Sequence, residues 1–444
     1  MPGGRRLEST LLIFIVITAA ACNTAAAPSS GAAARSVPSA APSKAAWPAG
    51  APDAWLLVGS DGGPYVRVIQ ASTGQRFLEM PMGAAAGSDW ARAIVASPNG
   101  ATTTIQDLVV QPGQGGPQIS IDGAWRLPTI GYDPTPVGVS TDGSTAVLVD
   151  AAPAASKTAT STSRFAVLSV VPLAGPPQIV ELPGAWSYDA ISSNGRVLYV
   201  VQHLDGDTGQ YQVRAIDLPS ATMRPGVIAD KRNLDEAMAG WPIAQLRAPT
   251  GMVYTIYRGV DHPFIHALNT TDGWAVCIDL PATARNDQEA AAQWGLAAST
   301  DWTTVYAANA ALGRVSEVKT ADFSVRRTVA IDSVAAGPTI ELAKFGHQES
   351  GPVARKLVLA PDGETAFAAG PDGILAIGTK DLKVRARWLG GSAVDALGLT
   401  PDGRTLFALL ADGGRIVAVD ARSGKVFGQV PGSGYDRLLA VVPW

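Results

Sequence analysis

Hydrophobic and polar positions along this chain form short apolar runs that are separated by a recurring turn. Runs such as TAVLV at 145–149 and TLFAL at 405–409 follow directly on a Ser/Ala/Thr-x-Asp/Asn-Gly phrase. Short apolar runs bounded by turn residues predict β-strands. The phrase occurs at Ser97-Pro98-Asn99-Gly100, Ser140-Thr141-Asp142-Gly143, Ser192-Ser193-Asn194-Gly195, Ala360-Pro361-Asp362-Gly363 and Thr400-Pro401-Asp402-Gly403, with weaker copies at Ala248-Pro249-Thr250-Gly251 and Ser299-Thr300-Asp301-Trp302.

The spacing of these phrases predicts the architecture. Successive copies are 40 to 61 residues apart. Self-similarity at such a period is typical of an all-β fold, the β-propeller, in which four-stranded antiparallel blades repeat around an axis. A second set of turns follows later in each repeat, for example after Val213–Asp217 and Ile416–Asp420. We expect the first phrase to join strands one and two of each blade and the second set to join strands three and four, so that both lie on one face.

The two ends of the chain predict how the ring closes. The ordered part is expected to begin near Trp55 with a run that fits a second strand, and Arg437–Val442 at the other end fits a first strand. The C-terminal strand should therefore complete the opening blade and remove the free edges of an open array. Seven turn phrases and this shared blade give eight blades, with seven as the alternative.

The repeat is most regular in the C-terminal third. Gly398–Phe407 reads GLTPDGRTLF and is followed by VAVD at 417–420 and SGKV at 423–426. This stretch resembles the YVTN-type, lactonase-like propeller repeats of bacterial extracytoplasmic proteins, and the likeness covers Leu357–Val430 most strongly. The family includes lactone hydrolases, electron-transfer partners and binding proteins. The resemblance therefore implies architecture and no particular activity.

The N-terminus predicts export and attachment to a membrane. Arg5-Arg6 precede LLIFIVITAAA at 11–21, an uncharged segment shorter than the roughly 20 apolar residues that span a bilayer. Residues 1–21 therefore resemble a bacterial lipoprotein signal peptide, with Cys22 acylated, for example by palmitate. The alternative is an ordinary signal peptide cut at an Ala-x-Ala site. Residues 22–50, rich in Ala, Ser and Pro, predict a disordered tether, and 51–444 form the propeller. The expected location is the extracytoplasmic side of a bacterial cell membrane.

The composition argues against nucleic acid as a partner and against disulfide bonds as the source of stability. The 444 residues carry a net charge of −4, which gives no broad basic surface for nucleic acid. Cys22 and Cys277 are the only cysteines. If Cys22 is lipidated, Cys277 has no disulfide partner within the chain. Stability is therefore expected to come from a buried core, which 47% apolar residues allow.

Candidate binding residues come from the face opposite the recurring turns. The long, irregular loops at 150–163, 223–241, 281–294 and 333–353 belong to that face, and such loops commonly carry binding residues. His262 and His266 lie four apart beside Asp261, but no third ligand is evident, so surface or hydrogen-bonded histidines are favoured over a metal site. The candidate binding-face residues are Trp241, His262, His266, Trp294, Lys344, His347 and Glu349.

No catalytic residue, metal site or cofactor is predicted. A Gly-rich phosphate loop, a Gly-x-Ser-x-Gly elbow and a His-Glu-x-x-His motif are absent from the sequence. The sequence favours a membrane-anchored, extracytoplasmic binding module for an envelope protein, peptide or glycan. The alternative is an envelope hydrolase of the lactonase-like propeller type, which needs carboxylates or an acid–base group at the central channel. A redox accessory role lacks a Cys-x-x-Cys-His haem motif.

Overall fold

The chain folds almost entirely into β-strands. The computed structural model describes residues 47–48, 51–60, 65–81, 84–86, 92–109, 114–131, 135–151, 161–204, 209–232, 238–282, 288–331 and 355–443. These ranges contain one short helix, α1 (Gln288–Ala291), in the long segment 281–294. No helix in these ranges has the length and apolar character needed to span a bilayer.

Consecutive strands form four-stranded antiparallel blades. Blade 1 contains β1 (Ala54–Ser60), β2 (Tyr65–Gln70) and β3 (Arg76–Pro81), and blade 2 contains β4 (Ala84–Ala86), β5 (Arg92–Asn99), β6 (Thr102–Val109) and β7 (Gln114–Asp122). Blade 3 contains β8 (Trp125–Arg126), β9 (Thr145–Asp150), β10 (Thr162–Ser169) and β11 (Gln178–Pro183). Blade 4 contains β12 (Trp186–Ile191), β13 (Val197–His203), β14 (Gln210–Asp217) and β15 (Thr222–Met223). Blade 5 contains β16 (Met238–Arg247), β17 (Met252–Gly259), β18 (Phe264–Asn269) and β19 (Trp274–Asp279), and blade 6 contains β20 (Gly295–Ala298), β21 (Thr304–Asn309), β22 (Arg314–Lys319) and β23 (Ser324–Ala330). Blade 7 contains β24 (Leu357–Leu359), β25 (Thr365–Gly370), β26 (Gly373–Gly378) and β27 (Val384–Trp388). Blade 8 contains β28 (Val394–Leu399), β29 (Thr405–Leu410), β30 (Arg415–Asp420) and β31 (Val426–Gln429).

The C-terminal strand closes the ring. β32 (Tyr435–Pro443) pairs antiparallel with β1 and becomes the innermost strand of blade 1. A buried hydrophobic cluster fills each seam between neighbouring blades, including the seam between blades 8 and 1, where Phe407 packs with Leu56 and Leu438. The predictions of a propeller, of eight blades and of closure by the last strand are confirmed.

The recurring turns lie on one face of the ring, with one exception. The copies in blades 3 to 8 join the first and second strands, but Ser97–Gly100 joins β5 and β6, the second and third strands of blade 2. The prediction for this copy is wrong, because turn residues of this type favour a tight hairpin between any two consecutive strands of a blade. Gly100 adopts a φ of 62° here, and the phrase does not encode which two strands it joins.

The opposite face carries the links between blades and the turns between second and third strands. We call it the loop face. In sequence order its most extensive segments follow β9, β15, β19 and β23, as the positions of the long loops predicted. The binding candidates from the sequence are therefore sought on this face.

The packed part of the chain begins ahead of the first strand. Trp47 lies within the predicted tether, yet its ring stacks on Phe407 with centroids 6.3 Å apart and meets the edge of Phe427 at 5.5 Å. Both partners belong to blade 8. Trp47 therefore covers the outer part of the seam in which the ring closes.

Candidate functional site

Three exposed apolar side chains lie in neighbouring segments of the loop face of blades 4 and 5. Leu204 follows β13, Trp241 lies near the start of β16 and Val260 follows β17, and their exposed fractions are 37%, 37% and 52%. The backbone joins these segments, because Gly240 N–H donates to the Gly209 carbonyl oxygen across 3.0 Å. We call Leu204, Trp241 and Val260 the apolar patch. Exposed apolar side chains in neighbouring segments are a feature of interaction surfaces.

Trp241 is held between the two blades. β16 pairs with β14 of blade 4 as well as with β17 of its own blade. Arg258, the register partner of Trp241 on β17, holds its guanidinium carbon 4.6 Å from the indole centroid. On blade 4, a Cβ at Gly209 would lie 3.0 Å from the indole, so the absence of a side chain lets that loop approach. A cation–π contact and close packing therefore fix the ring at the patch.

His262 places a polar group beside the patch. It lies in the loop between β17 and β18, two residues after Val260. Its Nε2 is 3.0 Å from Oδ1 of Asp279, and the His262 side chain is 37% exposed. The structure thus places this predicted residue on the loop face, in a pair with a carboxylate.

His266 lies inside the blade and does not join His262 in one surface site. Its side chain is 1% exposed, and burial lowers its pKa to about 4, so the ring is neutral at pH 7. Neither ring nitrogen has a hydrogen-bond partner among the described residues. Within the same ranges, no group of three or more His, Cys, Asp or Glu is arranged to hold a metal ion.

Trp294 is in the core, which differs from its expected place at a ligand surface. It is fully buried and packs with Ile243 and Leu280 in the seam between blades 5 and 6. The link between the blades returns to the sheet at this residue, where burial of a large apolar ring is favourable. The remaining predicted residues, Lys344, His347, Glu349 and the lipidation site Cys22, lie outside the described residues.

A buried polar group between the inner strands of blades 4 and 5 was not predicted. Asp189 in β12 is 3% exposed, and burial raises its pKa to about 7 although Arg247 acts in the opposite direction. Arg247 in β16 donates to the Val139 carbonyl oxygen at 2.7 Å and to the Tyr188 hydroxyl at 2.6 Å. It therefore ties together inner segments of blades 3, 4 and 5. The only signal in the sequence is one charged residue in the strand WSYDAI, and this does not distinguish a buried carboxyl from a surface one.

A second contact that the sequence did not reveal lies at the loop-face end of blade 4. Ser187, near the start of β12, has its Oγ 2.9 Å from Nε2 of His203, the last residue of β13. Desolvation lowers the pKa of His203, so its ring is neutral at pH 7. A hydroxyl within hydrogen-bond reach of a neutral imidazole is one part of the arrangement of a nucleophile and its base, and this pair is exposed to solvent.

Comparison with known proteins supports the fold and leaves the activity open. No family model matches the chain, and no curated protein matches it. The dihydro-heme d1 dehydrogenase NirN in complex with DHE is 15% identical with a TM-score of 0.53, over 86% of this chain and 74% of that one. Apo AztD from Citrobacter koseri is 12% identical with a TM-score of 0.53, over 88% of this chain and 98% of its own. Identities this low show a shared fold alone.

Proposed function

We propose that this chain is a lipid-anchored, extracytoplasmic β-propeller that binds an envelope protein, peptide or glycan through the loop face of blades 4 and 5. The apolar patch carries the proposal. Contiguous exposed apolar side chains are a feature of interaction sites, whereas isolated ones are ordinary. The arrangement of Trp241 also favours binding, because a rigidly held aromatic ring gives a large contact area at little cost in side-chain entropy.

The experiment compares two valines on opposite faces of the ring. Val260 of the patch is 52% exposed, and Val426, just after the turn between the third and fourth strands of blade 8, is 41% exposed. Residues 47–444 bearing Val260→Asp or Val426→Asp are used to capture partners from a detergent extract of the cell envelope. We expect a specific partner to be retained by the wild type and by Val426→Asp, and to be lost with Val260→Asp. Equal retention by both variants would place binding elsewhere.

The anchor is tested separately from the binding surface. An acyl chain contributes about 0.8 kcal/mol of membrane binding per buried methylene, and a diacylated cysteine therefore holds a protein firmly at a membrane. Cys22→Ser should move the full-length chain from the membrane fraction to the soluble fraction after cell lysis, and Cys277→Ser should leave it in the membrane fraction. A membrane-bound Cys22→Ser protein would refute lipidation as the means of attachment.

The Ser187–His203 pair favours hydrolysis as a second candidate function. In this alternative, His203 Nε2 takes the proton of Ser187 Oγ as that oxygen attacks an ester or lactone carbonyl. The bond to the alcohol oxygen breaks and the leaving alcohol takes that proton from His203, after which water hydrolyses the acyl-serine ester and restores the hydroxyl. The purified domain is assayed with p-nitrophenyl acetate and with simple lactones. Activity that is lost in Ser187→Ala and kept in Ser144→Ala, a serine of a recurring turn, would support this function. Equal rates in the two variants and in the wild type would exclude Ser187 as the nucleophile.

A further inference from the structure

Blade 5 carries a row of polar side chains across all four of its strands. In the register of β16 to β19, Gln245 is opposite Thr255, Thr255 is opposite His266, and His266 is opposite Cys277. Directly opposed residues project to the same side of a sheet. Gln245 Nε2 accordingly donates to Thr255 Oγ1 across 2.9 Å. The row runs from the inner strand of the ring toward its rim.

The polar row faces blade 4 and is not a requirement of the fold. Gln245 Nε2 also donates to the carbonyl oxygen of Asp189 in β12, at 3.1 Å. Beside the row, Tyr257 stacks on Tyr211 of β14, with centroids 5.2 Å apart. Blade 7 instead places apolar residues in the equivalent row of its first three strands, which are Leu357, Ala368 and Leu375.

Several buried polar atoms around this row have no partner among the described residues. They are Asp189 Oδ2, Gln245 Oε1, Arg247 Nε and both ring nitrogens of His266. A buried polar atom without a hydrogen bond loses its interactions with water and gains nothing in return, which destabilises the fold. Such a concentration in one seam is therefore unfavourable unless something else satisfies these atoms. Bound water is the usual solution in folded proteins.

The chemistry of the atoms selects water over an ion. Arg247 Nε–H can only donate, whereas Gln245 Oε1 can only accept, and Asp189 Oδ2 accepts when the carboxyl is ionised. A neutral His266 ring offers one donor and one acceptor. A cation would be repelled by the charge of Arg247, and an anion would be repelled by the acceptor oxygens of Asp189 and Gln245. Water donates and accepts in the same place, so it suits the set.

The backbone encloses the seam on the side of the loop face. Gln210 and Tyr211 of β14 pair with Ala239 and Met238 of β16, so a short ladder of main-chain hydrogen bonds crosses from blade 4 to blade 5. Thr255 and His266 beneath it are each 1% exposed. Water at His266 would therefore be internal rather than part of the surface layer.

We propose that the seam between blades 4 and 5 is an internal hydration site. One ordered water accepts from Arg247 Nε–H and donates to Asp189 Oδ2 and Gln245 Oε1, and further water binds the ring nitrogens of His266. This water completes the hydrogen bonding of the polar row and links the inner strands of the two blades. The site is independent of the proposed partner binding on the loop face.

A crystal structure at a resolution that shows ordered water tests the site. For the wild-type domain we expect water within hydrogen-bond distance of Asp189 Oδ2 and of a His266 ring nitrogen. In His266→Phe, a ring of similar size without polar atoms, the water at residue 266 should be lost while that at Asp189 remains. Ser316→Ala is the control, because this buried hydroxyl already has a protein partner, Thr328 Oγ1, at 2.9 Å. Both waters should persist in it.

Three results would overturn the proposal. The first is a wild-type structure without water at any of the named atoms. The second is direct pairing of these atoms with one another, and the third is an ion or an organic molecule in place of water. If His266→Phe does not fold, the wild-type structure alone decides, because the proposal requires water there.

Discussion

The aspartates of the recurring turns hold the backbone. Asp301 Oδ1 accepts from Ser299 Oγ at 2.6 Å, and from the Thr303 backbone N–H and hydroxyl at 3.1 and 2.9 Å. These hydrogen bonds, above all that from Ser299, lower the pKa of Asp301. Asp402 accepts in the same way from Thr400 and from the Arg404 N–H. Their lone pairs are engaged within the turn, which makes these carboxylates poor candidates for binding or catalysis.

Replacing the buried hydroxyl of one such turn should destabilise the domain. Thr400 is 6% exposed, and its Oγ1 donates to Asp402 at 2.6 Å and accepts from the Thr405 N–H at 3.0 Å. Thr400→Val removes both bonds at nearly constant volume, and we expect the free energy of unfolding in urea to fall by about 1–2 kcal/mol. The control is Thr300→Val, an exposed residue with one weak contact of 3.4 Å, which should change it by less than about 0.5 kcal/mol. Equal effects would contradict the structural role of the turn.

Asp189 and His266 have opposite effects on the pH dependence of stability. The pKa of Asp189 is about 7 in the fold and 3.8 as its ordinary value, so the stability associated with its neutral form is present at low pH and is lost as pH rises from about 4 to 7. The pKa of His266 is about 4 in the fold and ordinarily 6.5. Its contribution is present above pH 6.5 and is lost as pH falls toward 4. Between pH 4 and 6.5 the two slopes cancel.

Single variants should reveal each slope. We expect the unfolding free energy of Asp189→Asn, relative to wild type, to rise by up to about 1.4 kcal/mol per pH unit between pH 4.5 and 6. That of His266→Gln should fall by a similar amount over the same interval. The measurement is urea denaturation at several pH values. If both variants follow the pH profile of the wild type, these two groups do not titrate as their burial requires.

Among the elements, the closing strand and Trp47 act on the same seam. β32 pairs with β1 inside blade 1, while Trp47 packs on blade 8 from outside the predicted propeller boundary. Opening the closing seam would expose two unpaired blade faces, so the stability of the whole ring depends on the contacts in this seam. Trp47 therefore packs as part of the propeller, although the sequence placed it within the predicted tether.

Removal of the Trp47 ring should weaken ring closure. The residue is half-buried, so Trp47→Ala should lower the unfolding free energy by about 2 kcal/mol, below the 3–5 kcal/mol typical of a fully buried Trp. A domain that begins at residue 51 should lose the same amount. Trp241→Ala, which removes an exposed ring far from this seam, should have a smaller effect. No difference between the domains that begin at 47 and at 51 would contradict the assignment.

The recurring turns made the order of the strands predictable from the sequence. The polar residues that are buried between blades could not be predicted in this way. Turn residues report local backbone geometry, and this located the blades and the closing strand. For the same reason the copy at Ser97–Gly100 was assigned to the wrong pair of strands, because turn residues indicate a hairpin and not which strands of the blade it joins. Trp241 and His262 were found because loop residues lie where the repeat ends. Asp189 and Arg247 were missed, because their environment arises from strands about 60 residues apart in sequence.

Across the ring, Trp47 and the apolar patch lie on opposite sides. In an eight-bladed ring the seam between blades 8 and 1 is opposite the seam between blades 4 and 5. Trp47 marks the first position, and Trp241 lies at the second. A propeller held through the segment before Trp47 would present the patch at its far side.

In-cell photo-crosslinking tests the central claim, that the loop face of blades 4 and 5 is the binding surface. A photoreactive amino acid replaces Val260 in one full-length protein and Val426 in another, and each is irradiated in living cells. We predict a discrete crosslinked product from position 260, several-fold more abundant than any product from position 426. The product should disappear when Trp241→Ala is added. Crosslinks of equal yield from the two positions, or from position 426 alone, would contradict the account.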